Sequence, residues 1–393
     1  MRQQSATSRA DRARALLDEA GLDALIVSGD FSAGMNYFWL SGHMPRDFQL
    51  NYSRPHLMVL PLHGEPFLYV YDVNAANAQA SSWVDDVVAY TPPFSGADFA
   101  DALRARGIGG RLGLELGEDQ RLFFPAGELR HLGDVEDATP LLTRLRMLKD
   151  DDEIAAIERA CAVNGDGIAR AFARLGVGDD ENEVARALGA SIVESGAVRP
   201  PYAQINVLVE SKSRKLGGGS RLLGPLPEYA LAEGDLLFVD TGAIVDGYWG
   251  EFARMASVGE PAPAKVQHHD AIRDIVSRSI SESLHVGASY RDIVEHLASL
   301  YRDHGYDDSQ YGAYLRTPPL HYCHGVGLCG SEPPFIRHDS DDVLEAGMVI
   351  TPEAYIYVDG MLYASEEDVV ITEAGPRLLS PRDAGLGLLG VPG

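Results

Sequence analysis

Leu236 to Arg254 reads LLFVDTGAIVDGYWGEFAR, and the reading of that stretch decides the fold. An apolar run ends on an acid, Asp240. Gly242 and the Asp246-Gly247 pair follow as turn residues, and an aromatic run then delivers a second acid, Glu251. A buried strand, a glycine-containing turn and a returning strand make a hairpin. Carboxylates near corresponding places on neighbouring strands converge on one spot. Burying two like charges together is costly unless cations neutralise them. The stretch by itself fits either a metal site or two solvated hairpin acids, and the residues downstream decide between them.

Three later segments are sheet-like: His321-Tyr-Cys-His-Gly-Val-Gly, Gly347-Met-Val-Ile-Thr-Pro-Glu-Ala-Tyr-Ile-Tyr-Val and Leu362-Tyr-Ala-Ser-Glu-Glu-Asp-Val-Val-Ile. Each sets an acid or a histidine inside an apolar, β-prone run, where an unpaired charge is penalised. His324, Glu353 and Glu367 thereby join Asp240 and Glu251. Four carboxylates and one imidazole suit two divalent ions bridged by carboxylate, with Mn, Fe, Co or Zn as candidates. Such a pair lowers the pKa of a bridging water and polarises a scissile group. His268, His269 and His296 lie in helical stretches without evident co-ligands and read as surface or packing residues.

At 393 residues the chain exceeds the usual size of a single core, so two domains are expected. Up to about residue 148, strands at Asp23-Ala-Leu-Ile-Val-Ser, Arg54-Pro-His-Leu-Met-Val-Leu-Pro, Pro66-Phe-Leu-Tyr-Val-Tyr and Arg111-Leu-Gly-Leu-Glu-Leu alternate with helices near 8–20 and 99–106. That pattern predicts an α/β domain over 1–148. No phosphate loop or dinucleotide fingerprint occurs in it. The charged cluster Leu148-Lys-Asp-Asp-Asp-Glu precedes a long helix and opens a second domain, 149–393. Net charge is −25, from 58 acids against 33 bases. It argues against nucleic acid or an anionic membrane as partner, because phosphates are repelled. No apolar run approaches the roughly 20 residues that span a bilayer. Three cysteines and no apolar signal core point to a cytoplasmic protein.

The motifs resemble the pita-bread superfamily of methionine aminopeptidase, aminopeptidase P, prolidase and creatinase. The resemblance rests on Leu145-Arg-Met-Leu-Lys, Gly234-Asp-Leu…Asp240-Thr-Gly, Gly247-Tyr…Glu251-Phe-Ala-Arg254, His324-Gly-Val-Gly-Leu…Glu332-Pro-Pro, Gly347-Met-Val-Ile-Thr-Pro-Glu353 and Glu367-Asp-Val-Val-Ile-Thr. It covers nearly the whole chain. It implies a two-domain α/β protein, an N-terminal creatinase-like α/β domain followed by a pseudo-symmetric pita-bread domain. It also carries over the metal ligands Asp240, Glu251, His324, Glu353 and Glu367. The implied activity is metal-dependent hydrolysis of an amide or peptide-type bond in a small substrate or dipeptide, with Glu353 as general base or bridging ligand. Arg54, within Asn51-Tyr-Ser-Arg-Pro-His, resembles the creatinase arginine that reaches a substrate carboxylate across a homodimer.

Three departures stand out. Glu251 occupies a position that is usually Asp. No histidine occurs from Ser211 to Glu233, where the peptidases place a proton-shuttling imidazole near Leu223. Ser331 takes the place of a second histidine. Lys212, Arg214, Lys215, Arg221 and Tyr229 are the replacement donors in that loop. The alternative is a non-peptidase member, either a metal-dependent lyase of the dimethylsulfoniopropionate-lyase kind or a creatinase-type hydrolase, acting on a small carboxylate. Without those two imidazoles, ordinary Xaa-Pro dipeptides are expected to turn over slowly or not at all, and a small anionic substrate is expected instead.

Overall fold

The computed structural model describes residues 3–29, 35–45, 54–117, 124–197, 207–211, 230–311 and 322–390. Two compact units divide at Arg146 and Met147. In the first, α1 (Gln3–Ala20) leads to β1 (Ala24–Gly29), α2 (Met35–Ser41), β2 (His56–Pro61), β3 (Phe67–Tyr71), α3 (Ala75–Ser81), β4 (Asp86–Tyr90), α4 (Gly96–Ala105), β5 (Arg111–Leu114), β6 (Asp134–Asp137) and α5 (Thr139–Met147). The sheet order is β4-β3-β2-β1-β5-β6. β2 runs antiparallel to both neighbours, and the other pairs are parallel. Every residue of β1 and β2 is buried, as expected for central strands covered on both faces. Ile26, Val59, Phe67, Phe99 and Leu112 make the centre of this core.

The second unit opens with α6 (Asp151–Arg174) and α7 (Glu181–Glu194). The charged cluster before α6 is a helix start. The Asp150 side chain accepts from the Glu153 amide, and Glu153 returns the bond to the Asp150 amide. This reciprocal cap satisfies two donors that a helix end otherwise leaves bare. β7 (Val207–Ser211), β8 (Leu236–Val245) and β9 (Tyr248–Ser257) follow, then α8 (Pro263–Ser283) and α9 (Tyr290–Asp303). The chain closes with β10 (Cys323–Gly325), β11 (Glu332–Ile336), β12 (Val349–Val358), β13 (Met361–Glu366), β14 (Val369–Thr372), β15 (Gly375–Leu378) and the short β16 (Gly387–Leu388). One sheet has the order β16-β9-β8-β7, and the other β11-β10-β12-β14-β15 with β13 also paired to β12. Phe238 and Met255 from the first sheet, Ile350 and Ala364 from the second, and Ile275 and Leu297 from the helices share one core.

Two hairpins in this unit turn on Asp-Gly. Asp246 (φ 54°) and Gly247 (φ 89°) join β8 to β9, while Asp359 (φ 50°) and Gly360 (φ 75°) join β12 to β13. Positive φ at both central residues is what a two-residue turn needs to match the strand twist. Gly242, read above as a turn residue, instead lies inside β8 opposite Glu251. A Cβ there would come 2.6 Å from the Trp249 ring, so the glycine makes room for the indole. Gly250 has the same logic on the helix side: its Cβ would fall 2.3 Å from the backbone nitrogen of Cys161 in α6.

Candidate metal centre

Strand register brings the site together. On β8 and β9, Glu251 pairs with Gly242, two residues from Asp240, so the two carboxylates share a face. On β12 and β13, Glu353 stands directly opposite Glu366. His324 of β10 pairs with Thr351 of β12, two residues before Glu353. Glu251, His324 and Glu366 each offer a ligand atom, and these atoms lie within 4.8 Å of one another. His324 Nε2 is 3.8 Å from Glu251 Oε2.

This concentration of acid is electrostatically expensive without a cation. Burial pushes the Glu251 and Glu366 carboxyls well up from their ordinary range, and the charges of Asp240, Glu353 and Asp368 push further. Burial also raises the Asp240 carboxyl, to about 6. Asp240 Oδ1, Glu251 Oε2 and Glu366 Oε2 are out of solvent and have no hydrogen-bond partner. Buried polar oxygens are normally paired; three orphans pointing into one acidic cluster fit a divalent cation. His324 is prepared for the same role. Its Nδ1 lies 3.0 Å from the Gly325 carbonyl, which only accepts, so Nδ1 carries the proton and the lone pair sits on Nε2.

The loop after His324 holds that ring in place. A Cβ on Gly325 would be 2.4 Å from the Pro333 carbonyl oxygen, which accounts for the first glycine of His-Gly-Val-Gly. The Trp249 amide donates to the Gly327 carbonyl at 2.7 Å. Glu332 closes the loop by accepting from the Cys329 amide at 3.2 Å and pairing with buried Lys149 at 3.1 Å.

The structure departs from expectation at the last carboxylate. Glu367 is turned away from the cluster. Its Oε2 binds Arg254 at 2.9 Å and the Ser380 hydroxyl, and its Oε1 accepts from the Asp383 amide at 3.0 Å. Glu366 takes the place expected of Glu367, because only Glu366 shares the face of Glu353. Two further residues escaped the sequence reading. Asp368 accepts from the Glu251 amide at 2.9 Å and from the Cys161 thiol at 3.0 Å, and burial pushes its carboxyl up to about 7. Tyr355, two residues past Glu353, donates its hydroxyl to Glu353 Oε2 at 2.9 Å.

Arg54 belongs to the first unit, where its guanidinium lies 4.5 Å over the Tyr71 ring. Tyr229, the basic residues at 212, 214, 215 and 221, and Leu223 fall outside the described residues. Ser331 is exposed on the loop beyond His324. Of the three helical histidines, His269 is wholly buried, His268 meets the Tyr306 hydroxyl at 2.9 Å and His296 faces Glu282 at 3.2 Å.

Carboxylates on two hairpins and an imidazole on β10 gather in one buried cluster, the donor set of a metal-dependent hydrolase fold. Residues 155–373 match the family model described as metallopeptidase family M24, and residues 9–148 match the creatinase/prolidase N-terminal domain. The chain belongs to metallopeptidase family M24, with a creatinase-like α/β domain ahead of its pita-bread domain, and is a hydrolase of that family. It is 27% identical to the Xaa-Pro dipeptidase of Pyrococcus furiosus over 279 residues, 70% of this chain and 73% of the relative. It is 24% identical to the putative dipeptidase YkvY of Bacillus subtilis over 387 residues, 96% of this chain and 99% of the relative. Among solved structures, dipeptidase PepE from Mycobacterium ulcerans superposes with a TM-score of 0.79 at 23% identity, covering 99% of each chain. The Xaa-Pro dipeptidase from Bacillus anthracis gives a TM-score of 0.81 at 21% identity, covering 98% of this chain and 100% of that one.

Proposed function

We propose that the protein is a metal-dependent dipeptidase acting on Xaa-Pro-type dipeptides, with Asp240, Glu251, His324, Glu353 and Glu366 holding two divalent ions of the Mn, Fe, Co or Zn kind. The gathering of Glu251, His324 and Glu366 ligand atoms, with orphaned carboxylate oxygens on Asp240, Glu251 and Glu366, carries this reading, and the dipeptidase relatives supply the substrate class. When bound, the ions supply an acidified water and a polarised scissile carbonyl. His324 offers Nε2 because Gly325 fixes its tautomer. Glu353, its Oε2 held by the Tyr355 hydroxyl, would be the acceptor for a proton from water. Asp368 keeps the Glu251 main chain in register with the cluster.

The second reading, a non-peptidase acting on a small carboxylate, draws on Ser331, an exposed hydroxyl where the family resemblance implies an imidazole. A homodimer and a cytoplasmic location complete the proposal. Cys161 is a free thiol engaged with Asp368, in keeping with a reducing compartment. Light scattering at micromolar concentration tests the dimer, and a monomer would end that part.

The deciding experiment is an assay of chelator-stripped protein with and without added Mn2+ on a panel of Xaa-Pro dipeptides, sulfonium acids and guanidino acids. Turnover of the dipeptides that is lost on stripping and restored by Mn2+ is expected. Turnover confined to the other acids would install the second reading in its place.

A further inference from the structure

We infer that Tyr355 is a positioning residue, one that sets the plane of the Glu353 carboxylate before an ion arrives. The inference rests on the metal-dependent reading above. Glu353 and Tyr355 stand two apart on β12 and so project from one face. The Tyr355 hydroxyl donates to Glu353 Oε2 at 2.9 Å. A carboxylate in this cluster needs such a hold. Its charge repels those of Glu251 and Glu366, and free rotation about its last bond would swing it away from the place where an ion sits. A hydroxyl donor offsets that repulsion at one chosen oxygen and leaves the site ordered while it is empty of charge compensation.

Tyr355 is itself fixed at three points. Its ring packs across Phe238 with centroids 6.0 Å apart, and Phe238 lies on β8 two residues before Asp240, on the same face. On one side its backbone pairs with Ala364 of β13. On the other, where no strand of the described residues pairs with it, the phenol of Tyr301 does a strand's work. That hydroxyl accepts from the Tyr355 amide at 2.9 Å and donates to the Tyr355 carbonyl at 3.2 Å. Tyr301 is wholly buried on α9 and stacks on Tyr311 with ring centroids 4.2 Å apart and 5° between planes. A side chain that merely filled space would not need its main chain clamped from both sides. The chain of contacts runs Tyr311, Tyr301, Tyr355, Glu353, and it ends on a proposed ligand.

The test is Mn2+ titration calorimetry on the chelator-stripped, full-length protein, its Tyr355→Phe and Glu353→Gln variants, and the double variant. Tyr355→Phe is expected to weaken Mn2+ binding by about 10–100-fold, with the stripped protein still folded by circular dichroism. In the Glu353→Gln background the same change should cost nothing more, because the two residues act as one unit. Equal Mn2+ affinity in wild type and Tyr355→Phe overturns the inference, as do equal losses in both backgrounds. A wild-type protein that takes up no Mn2+ overturns the metal reading itself and this inference with it. Should Tyr355→Phe fail to fold, Tyr301→Phe removes the hold on the Tyr355 main chain and so loosens the aim of its hydroxyl at Glu353. Weaker Mn2+ binding there supports the inference, and unchanged binding overturns it.

Discussion

A carboxylate at 366 and one at 367 differ by a single step of the chain, and that step sends the first toward Glu353 and the second onto Arg254. The two are chemically identical, so neutralising each separates their roles. Glu366→Gln should abolish or greatly weaken uptake of divalent metal, read by metal content after dialysis. Glu367→Gln should keep the metal and lose about 1–3 kcal/mol of stability, the scale of a charge-assisted hydrogen bond to a buried group, read by urea denaturation. The reverse pattern would return Glu367 to the ligand set. A second residue makes a pH prediction in the first unit. Burial raises the Glu115 carboxyl above its usual value of 4.5, against the opposing hydrogen bond from Asn36. A folded-state pKa raised above the unfolded one contributes stability that is full below the unfolded value and is lost as pH rises through the folded value. Glu115→Gln should therefore stabilise the protein at neutral pH and make no difference near pH 4. Denaturation midpoints at the two pH values check it.

At the scale of elements, the hairpins explain what a sequence reader sees and what is hidden. The 236–254 hairpin was legible because its Asp-Gly turn, apolar run and two acids lie within one short window. The Glu366 assignment was legible in principle too. Once Asp359-Gly360 is taken as a two-residue turn, Val358 pairs with Met361, and counting back places Glu353 against Glu366. Matching Glu-Asp as a motif instead of counting register selects the neighbouring residue, and with period two a slip of one changes the face. Tyr355 was hidden for another reason: its partner Tyr301 arrives from α9, more than fifty residues upstream, and nothing local signals the contact. Gly250 was equally silent, since only the packing of α6 on β9 reveals it. Gly250→Ala drives a methyl into the helix backbone and should cost about 1–3 kcal/mol or more, as overpacking does. A variant as stable as wild type in denaturant would show that α6 can move off the strand without penalty.

For the whole molecule, the cluster of acids links loading to stability. An ion that binds the folded chain and not the unfolded one stabilises by about 2.7 kcal/mol at a hundredfold excess over its dissociation constant. Added Mn2+ should raise the melting temperature of stripped protein, and the rise should vanish in Glu366→Gln. Solution charge acts in the same direction, since a net −25 repels itself less once divalent cations are bound.

The orphaned oxygens of Asp240, Glu251 and Glu366 also bear on how long a molecule survives. A chain made where metal is scarce folds around uncompensated acid and opens more often than a loaded one. Proteases that cleave opened chains sample that population. The empty form should be digested faster by a nonspecific protease than the Mn2+-loaded form, with Glu366→Gln digested at the same rate in either condition. Abundance of the protein would then follow the metal supply of its surroundings, set by turnover and not by synthesis.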